Sequence, residues 1–352
     1  MKESRTYIAT PPGATIKEQL EDREMSQREF SQRMGISEKH ISKLINGEVQ
    51  LTPEMAYRLE TVLGIPAHFW SELEAIYREK LAKVEAENAM DKDKVNVKKF
   101  PYTEMAKNGW VRSTTDPSER VLAMRQFFEV IDLSLLDRGE LLPQIACRRQ
   151  AVTEKADYAL LAWAQKARIE ARKRDTQKID LKGLEKKLEE IRSMTRTDPE
   201  EFCSKLTDLL AAHGIALIFL PHIGGSFLHG ATFMEKNKIV MGMTVRGKDA
   251  DRFWFSLFHE LGHILLGHIG QPGGTSIEDE NAADRFAQDT LIPQEEFDRF
   301  TWEFRFTKET VNKFADKIGI APGIVVGRLQ KEKYIDFDRL NNLKKKYDMI
   351  SA

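Results

Sequence analysis

The sequence predicts an α+β chain that is predominantly helical, and three observations carry that expectation. Short, tightly punctuated helical stretches fill residues 14–64, and residues 100–213 read as mostly helical. Strand-type runs begin only at Ile215, just ahead of a strongly apolar helix over residues 253–266. A chain of 352 residues has length enough for two or three cores. The expected division is 1–80, 81–199 and 200–352.

The first of these reads as a small bundle. Ala14 to Arg23 is amphipathic. Ser26-Gln27-Arg28-Glu29 matches a capping box and opens a stretch through Met34. Gly35-Ile36-Ser37 is a tight turn ending in a second N-cap, followed by Glu38 to Ile45 and the stop at Asn46-Gly47. Thr52-Pro53-Glu54 caps a further helix that ends at Gly64. Phe30, Met34, Ile36, Ile41, Leu44, Ile45 and Leu51 are the expected core.

Two short helices joined by a turn containing Gly form a helix-turn-helix pattern, with the second helix as the reader of DNA. Glu38, Lys39, His40, Ser42 and Lys43 are its exposed positions, suited to base edges and phosphates. Gln27 at a helix N-terminus and Asn46 after the reader are candidate phosphate contacts. Residues 26–58 carry five Lys/Arg against four Asp/Glu, a weak basic footprint. Operator binding is therefore expected to need a homodimer on two half-sites. Arg168, Arg172, Lys173, Arg174 and Lys178 form a second basic face, read as solvated.

After Pro66 a helix of mixed charge is expected from Ala67 to about Ala89, with Met90-Asp91-Lys92-Asp93-Lys94 as a linker. Ile215 to Leu220 is a short apolar run closed by Pro221. Gly230 to Glu235 and Lys238 to Met243 flank Lys236-Asn237 and read as a hairpin. An edge strand here suits an extended peptide held by strand addition. His222 and His229, between the runs, read as loop surface, with polarising a substrate carbonyl as the other role open to them.

His259-Glu260-Leu261-Gly262-His263 lies within the apolar helix, flanked by Phe253, Trp254, Phe255, Leu257, Phe258, Ile264, Leu265 and Leu266. Two histidines four apart project from one helical face. They supply two corners of a tetrahedral site for Zn2+, and Glu260 is placed to take a proton from water at the metal. Polar residues within so apolar a helix need a reason.

The spacing of the third ligand separates zinc-protease classes. The metzincin pattern wants Gly at 266 and His at 269, where this chain has Leu266 and Ile269. His268 falls past the helix end at Gly267 and reads as a non-ligand. Gly270 to Thr275 is a strong breaker, and Ser276-Ile277-Glu278-Asp279 matches a capping box opening a second helix. On it, Glu280 is the expected third ligand, and Asp284, one turn on, the carboxylate that orients a ligand imidazole. Glu278 and Asp279 read as an acidic helix start. Small Ala282, Ala283 and Ala287 would let the two helices approach closely.

Net charge is −1, so bulk charge indicates no acidic or basic partner. No apolar run approaches a membrane span, and Met1-Lys2-Glu3-Ser4-Arg5 is unlike a signal peptide. Cys147 and Cys203 form no CxxC, which suits a reducing cytoplasm. Residues 314–329 look like half of a helix-turn-helix, expected to pack under the metal-site helices rather than read DNA.

Both ends of the chain resemble known families. Residues 14–75 are similar to the XRE/Cro-C1-type helix-turn-helix of HigA antitoxin-like proteins, through Ser37-Glu38-Lys39-His40-Ile41-Ser42, Asn46-Gly47, Leu51 to Ala56 and Phe69-Trp70. Residues from about 200 to 330 resemble ImmA/IrrE zinc metallopeptidases. Phe253-Trp254-Phe255, Phe258 to His263, Ala283 to Ala287, Leu291-Ile292-Pro293 and Ala321 to Leu329 carry that likeness. It implies a gluzincin-like zincin core in which Glu280 binds zinc with Asp284 behind it. It also implies a repressor-type protein as substrate, cleaved after stress. Many relatives have a second Glu where this chain has Ala282; Glu280 is retained. The antitoxin likeness implies an operator and a small toxin protein as partners. It also leaves open a regulator whose zinc fold is a sensor or scaffold without turnover.

Overall fold

The computed structural model describes residues 2–138, 154–224, 230–244, 249–271, 274–303 and 305–347. The chain divides into two compact units, Met1–Val95 and Asn96–Ala352.

The first unit holds β1 (Lys2–Glu3), β2 (Ile8–Ala9), α1 (Gly13–Asp22), α2 (Gln27–Met34), α3 (Glu38–Ile45), α4 (Pro53–Leu63) and α5 (Ala67–Val97). Hydroxyl N-caps start three of the helices. Ser26 accepts from the Glu29 N–H at 3.1 Å, Ser37 from His40 at 3.3 Å and Thr52 from Met55 at 3.2 Å. Gly35 closes α2 in the left-handed region at φ 65°, which turns the chain into α3. Phe30, Met34, Ile41, Leu44 and Leu51 are buried with Ile16, Leu59 and Trp70, while Ile36 and Ile45 pack at the edge. A Cβ on Gly13 would sit 2.0 Å from the Ile45 carbonyl oxygen, so only glycine lets α1 cross the end of α3.

Two features of this unit depart from expectation. β1 and β2 pair antiparallel, Lys2 opposite Ala9, and Glu87 on α5 accepts from the Ser4 and Thr6 hydroxyls at 2.5 and 2.7 Å. Helix α5 also continues through Met90–Lys94 to Val97 instead of yielding a linker. That stretch is polar but contains no Gly or Pro. Its Lys94–Asp91 pair at 2.6 Å suits a helix, so polarity alone does not break it.

The second unit opens with α6 (Tyr102–Lys107), α7 (Pro117–Phe128), α8 (Glu154–Arg172), α9 (Leu181–Glu185), α10 (Leu188–Ser193) and α11 (Pro199–Ala211). β3 (Ile215–Leu220), β4 (Gly230–Glu235) and β5 (Lys238–Thr244) follow, then α12 (Ala250–Leu265), α13 (Ile277–Leu291), α14 (Gln294–Trp302), α15 (Lys308–Ile318) and α16 (Pro322–Lys331). The strands order β3-β5-β4. β3 runs parallel to β5, and the β4–β5 pair is the expected antiparallel hairpin about Lys236-Asn237.

Both sheet faces are covered. Ala216, Ile218, Phe233 and Val240 pack with Trp163, Ala164 and Ala167 of α8. Alternate residues Ile215, Leu217, Ile239, Met241 and Met243 enter the main core with α12. A Cβ on Gly242 would lie 2.4 Å from the Trp163 ring, so this glycine makes room for the indole. Leu257, Phe258 and Leu261 of α12 meet Val311, Val325 and Leu329 of α15 and α16 in the same core, the packing role expected for the tail. Trp254 Nε1 donates to Tyr347 Oη at 2.8 Å, satisfying both buried groups.

Candidate metal centre and nucleic-acid interface

α12 and α13 carry the polar cluster. Gly267 ends the turn after α12 at φ 76°, and Ser276 with Asp279 forms both halves of the capping box that starts α13. Ala283 and Ala287 are fully buried, and a Cβ on Gly262 would lie 3.2 Å from Ala283 Cα. This close approach sets Glu280 opposite the two histidines.

Among the described residues, one group of His, Cys, Asp and Glu gathers closely enough to hold a metal ion: His259, His263 and Glu280. His259 Nε2 lies 3.0 Å from His263 Nε2, and the Glu280 oxygens lie 3.4 Å from each. A tetrahedral zinc with ligand bonds of about 2.0–2.2 Å separates its ligands by about 3.3–3.5 Å. The two Glu280 edges match that scale, and the His259–His263 edge is about 0.3 Å shorter. Glu280 Oε2 is buried without a hydrogen-bond partner, an expense that a cation would remove. The donor set and its spacing therefore fit zinc.

Each of these side chains leans on another. His259 Nδ1 meets Asp284 Oδ1 at 2.9 Å, which favours Nδ1–H and leaves Nε2 as the donor to a metal. His263 Nδ1 meets His268 Nδ1 at 3.1 Å, and His268 Nε2 lies 3.4 Å from Asp279 Oδ1. Thr275 donates to Glu280 Oε1 at 2.7 Å. Thr232, on edge strand β4, donates to Glu260 Oε2 at 2.5 Å, both residues being buried. Gly230 leaves room for the same carboxylate, since a Cβ there would lie 2.8 Å from Glu260 Cγ.

The electrostatics follow from burial and neighbours. Burial pushes the Glu260 carboxyl up to about 7, against the opposing pull of His259 and the Thr232 hydrogen bond. Burial also lowers His263 to about 4, helped by the charge of His259. At His259 burial acts the same way, but Asp284, Glu280 and Glu260 outweigh it and raise the imidazole to about 10. Perturbed groups of this kind cluster where proton chemistry is done.

His268 is outside the three-residue cluster, behind His263, and Asp279 does more than start a helix. Sequence reasoning missed Thr232, Thr275 and the part played by His268. His222 lies in the loop after β3, and His229 lies outside the described residues. Arg168 and Arg172 pair with Glu235 at 3.0 and 3.4 Å, Arg172 also with Glu129, and Lys173 with Glu170, while Arg174 and Lys178 are exposed.

In the first unit, Glu38, Lys39, Ser42 and Lys43 are exposed on α3, His40 is half-buried, and Asn46 is its exposed C-cap. Gln27 is exposed at the first position of α2. Six of these seven residues are exposed and His40 is half-buried, whereas Phe30, Ile41 and Leu44 are buried. Among the described residues no helix is long and apolar enough to cross a membrane.

Comparison with known proteins agrees with both halves. Residues 16–70 match the helix-turn-helix family model, and residues 212–330 match that of the IrrE N-terminal-like domain. The HTH-type transcriptional regulator YddM of Escherichia coli is 36% identical over 80 residues, covering 23% of this chain and 81% of the relative. YbaQ, another HTH-type transcriptional regulator of Escherichia coli, is 32% identical over 75 residues, 21% of this chain and 66% of YbaQ. Residues 16–70 supply the DNA-binding module and residues 212–330 the peptidase-like one. The chain belongs to the XRE-type helix-turn-helix transcriptional regulators and carries an IrrE N-terminal-like, peptidase-like domain in its carboxy-terminal part.

Proposed function

We propose that the protein is a DNA-binding regulator with zinc-dependent endopeptidase activity, directed at a repressor-type protein. The observation that carries the reading is the convergence of His259, His263 and Glu280 beside the buried Glu260. Zinc bound there supplies Lewis-acid chemistry, lowering the pKa of water and polarising a peptide carbonyl. Glu260 accepts the proton released by the attacking water and hands it to the leaving amine. Its raised pKa suits both halves of that transfer. Thr232 holds the Glu260 carboxylate, and Asp284 orients His259. β4 lies at the sheet edge beside Glu260, where an extended substrate can add as a strand.

In this reading residues 1–80 form the operator-binding domain, 81–199 a helical middle region and 200–352 the peptidase. Gln27, Glu38, Lys39, His40, Ser42, Lys43 and Asn46 contact operator DNA, a homodimer spans two half-sites, and the cytoplasm is the compartment. Glu260→Gln should abolish cleavage of the repressor while zinc stays bound. Cleavage at the wild-type rate by this variant would sink the proposal. A second reading is favoured by the likeness to YddM, an HTH-type transcriptional regulator matched over 80 residues. There the chain is an antitoxin-like repressor with a small toxin as partner, and its zinc fold does no chemistry. Glu260→Gln would then leave every phenotype intact.

A further inference from the structure

A cavity lies one helical turn beyond the metal cluster on both of its helices. Phe255 precedes His259 by one turn on α12, and Gln288 follows Asp284 by one turn on α13. From there a space of about 310 Å³ opens between these helices, α16 and the segment that follows it. That is at the small end of the range for small-molecule sites, roughly 300–1,000 Å³. Phe255, Leu291, Ile324 and Phe337 give it apolar walls. Gln330 fixes the outer wall, its amide donating to the carbonyls of Phe337 and Arg339 at 3.2 and 2.9 Å.

The charge of the cavity is one-sided. Arg252, Arg328, Lys331 and Lys344 line it against one carboxylate, Asp251. Two of the cations are committed. Arg328 donates to the Ile292 carbonyl at 2.6 Å and to Glu332 at 2.8 Å, and Lys344 pairs with Asp251 at 2.7 Å. The other two are held loosely. Exposed Arg252 lies 3.6 Å from Asp249, and Lys331 lies 3.9 Å from Asp284 with its Nζ 4.3 Å above the Phe255 ring. Ion pairs this long and this wet contribute little, so both heads are available to an anion. Apolar walls with two loosely held cations select a ligand with one anionic head and an apolar body.

We propose that this cavity binds a small apolar monocarboxylate, its head on Lys331 and Arg252 and its body on Phe255, Leu291 and Ile324. Lys331 shares Asp284 with His259, and the Phe255 ring lies 6.5 Å from that of His259, so such a ligand would lie against two residues that neighbour the metal cluster. The inference does not depend on peptidase turnover.

Calorimetric titration of the full chain with sodium octanoate tests it, with and without zinc. Saturable one-to-one binding is expected in both states, with acetate and 1-octanol at least about tenfold weaker. Lys331→Ala should weaken octanoate about tenfold, the equivalent of about 1.4 kcal/mol. Ser256→Trp, which fills the cavity from α12, should abolish binding while zinc content and melting temperature stay at wild-type values. Should that variant fail to fold, Gln288→Trp fills the cavity from α13 and must give the same loss. No octanoate binding by the folded wild type overturns the proposal. So does octanol binding as tightly as octanoate, or wild-type affinity in Lys331→Ala or in a folded filling variant.

Discussion

Zinc binding should release one proton per chain, and that proton should come from His259. In the metal-free chain His259 titrates at about 10, burial being outweighed by Asp284, Glu280 and Glu260, whereas burial and the charge of His259 leave His263 at about 4. Burial would raise the Glu280 carboxyl, but the His259 imidazolium 3.4 Å away and the Thr275 hydrogen bond outweigh it and hold it below its usual range. Near pH 7 the cluster is one imidazolium, one neutral imidazole and one carboxylate. A ligand that is protonated below about pH 10 must lose its proton to the metal, so observed affinity rises about tenfold per pH unit. From pH 6.5 to 8.5 that is about 100-fold, or about 2.7 kcal/mol, with a plateau as the pH passes 10. Asp284→Asn removes the first of the groups that hold the proton, so the pH at which affinity levels off should move down from about 10. The same change should lower the plateau affinity about 10- to 100-fold through loss of ligand orientation. Competition against a chromophoric chelator at each pH, with proton release read by an indicator, measures both. Wild-type affinity flat over this range, or a levelling point unmoved in Asp284→Asn, would exclude His259 as the source of the proton.

Two further outcomes follow from the same geometry. Gly230→Ala places a methyl 2.8 Å from Glu260 Cγ and Oε1, so the carboxylate must shift. Cleavage should fall about 10- to 100-fold at unchanged zinc stoichiometry, measured by initial rates beside metal analysis. Lys39→Ala and Lys43→Ala should each weaken operator binding and lower the salt slope by about one. Fluorescence anisotropy across a salt series reads this, and unaltered slopes would remove α3 as the reader.

What was legible in the sequence is what local chemistry decides. Ser26, Ser37 and Thr52 accept from N–H groups three residues on, so the helix starts of the first unit are written within four-residue windows. The Gly270–Thr275 breaker and the Ser276–Asp279 box set where α13 begins, and with it which face Glu280 occupies. Contacts made over long separations were not legible. Thr232 reaches Glu260 from 28 residues away, and nothing in its strand marks it out. His268 looks like a residue lost past a helix end. Gly267 in the left-handed region instead folds it back, so that its N–H bonds the His263 carbonyl at 2.9 Å and its ring meets that of His263. The parallel β3–β5 pairing and the seat of Trp163 on Gly242 likewise depend on tertiary packing. The Met90–Lys94 stretch misled because charge was read as a break where no residue interrupts the helix.

Anomalous diffraction at the zinc edge, from crystals of the zinc-loaded chain, locates the metal without reference to turnover. One peak per chain is expected, about 2.0–2.2 Å from Nε2 of His259, Nε2 of His263 and a Glu280 carboxylate oxygen. A peak on His268 and Asp279 instead, or none between the two histidines of α12 at stoichiometric zinc, would contradict this placement.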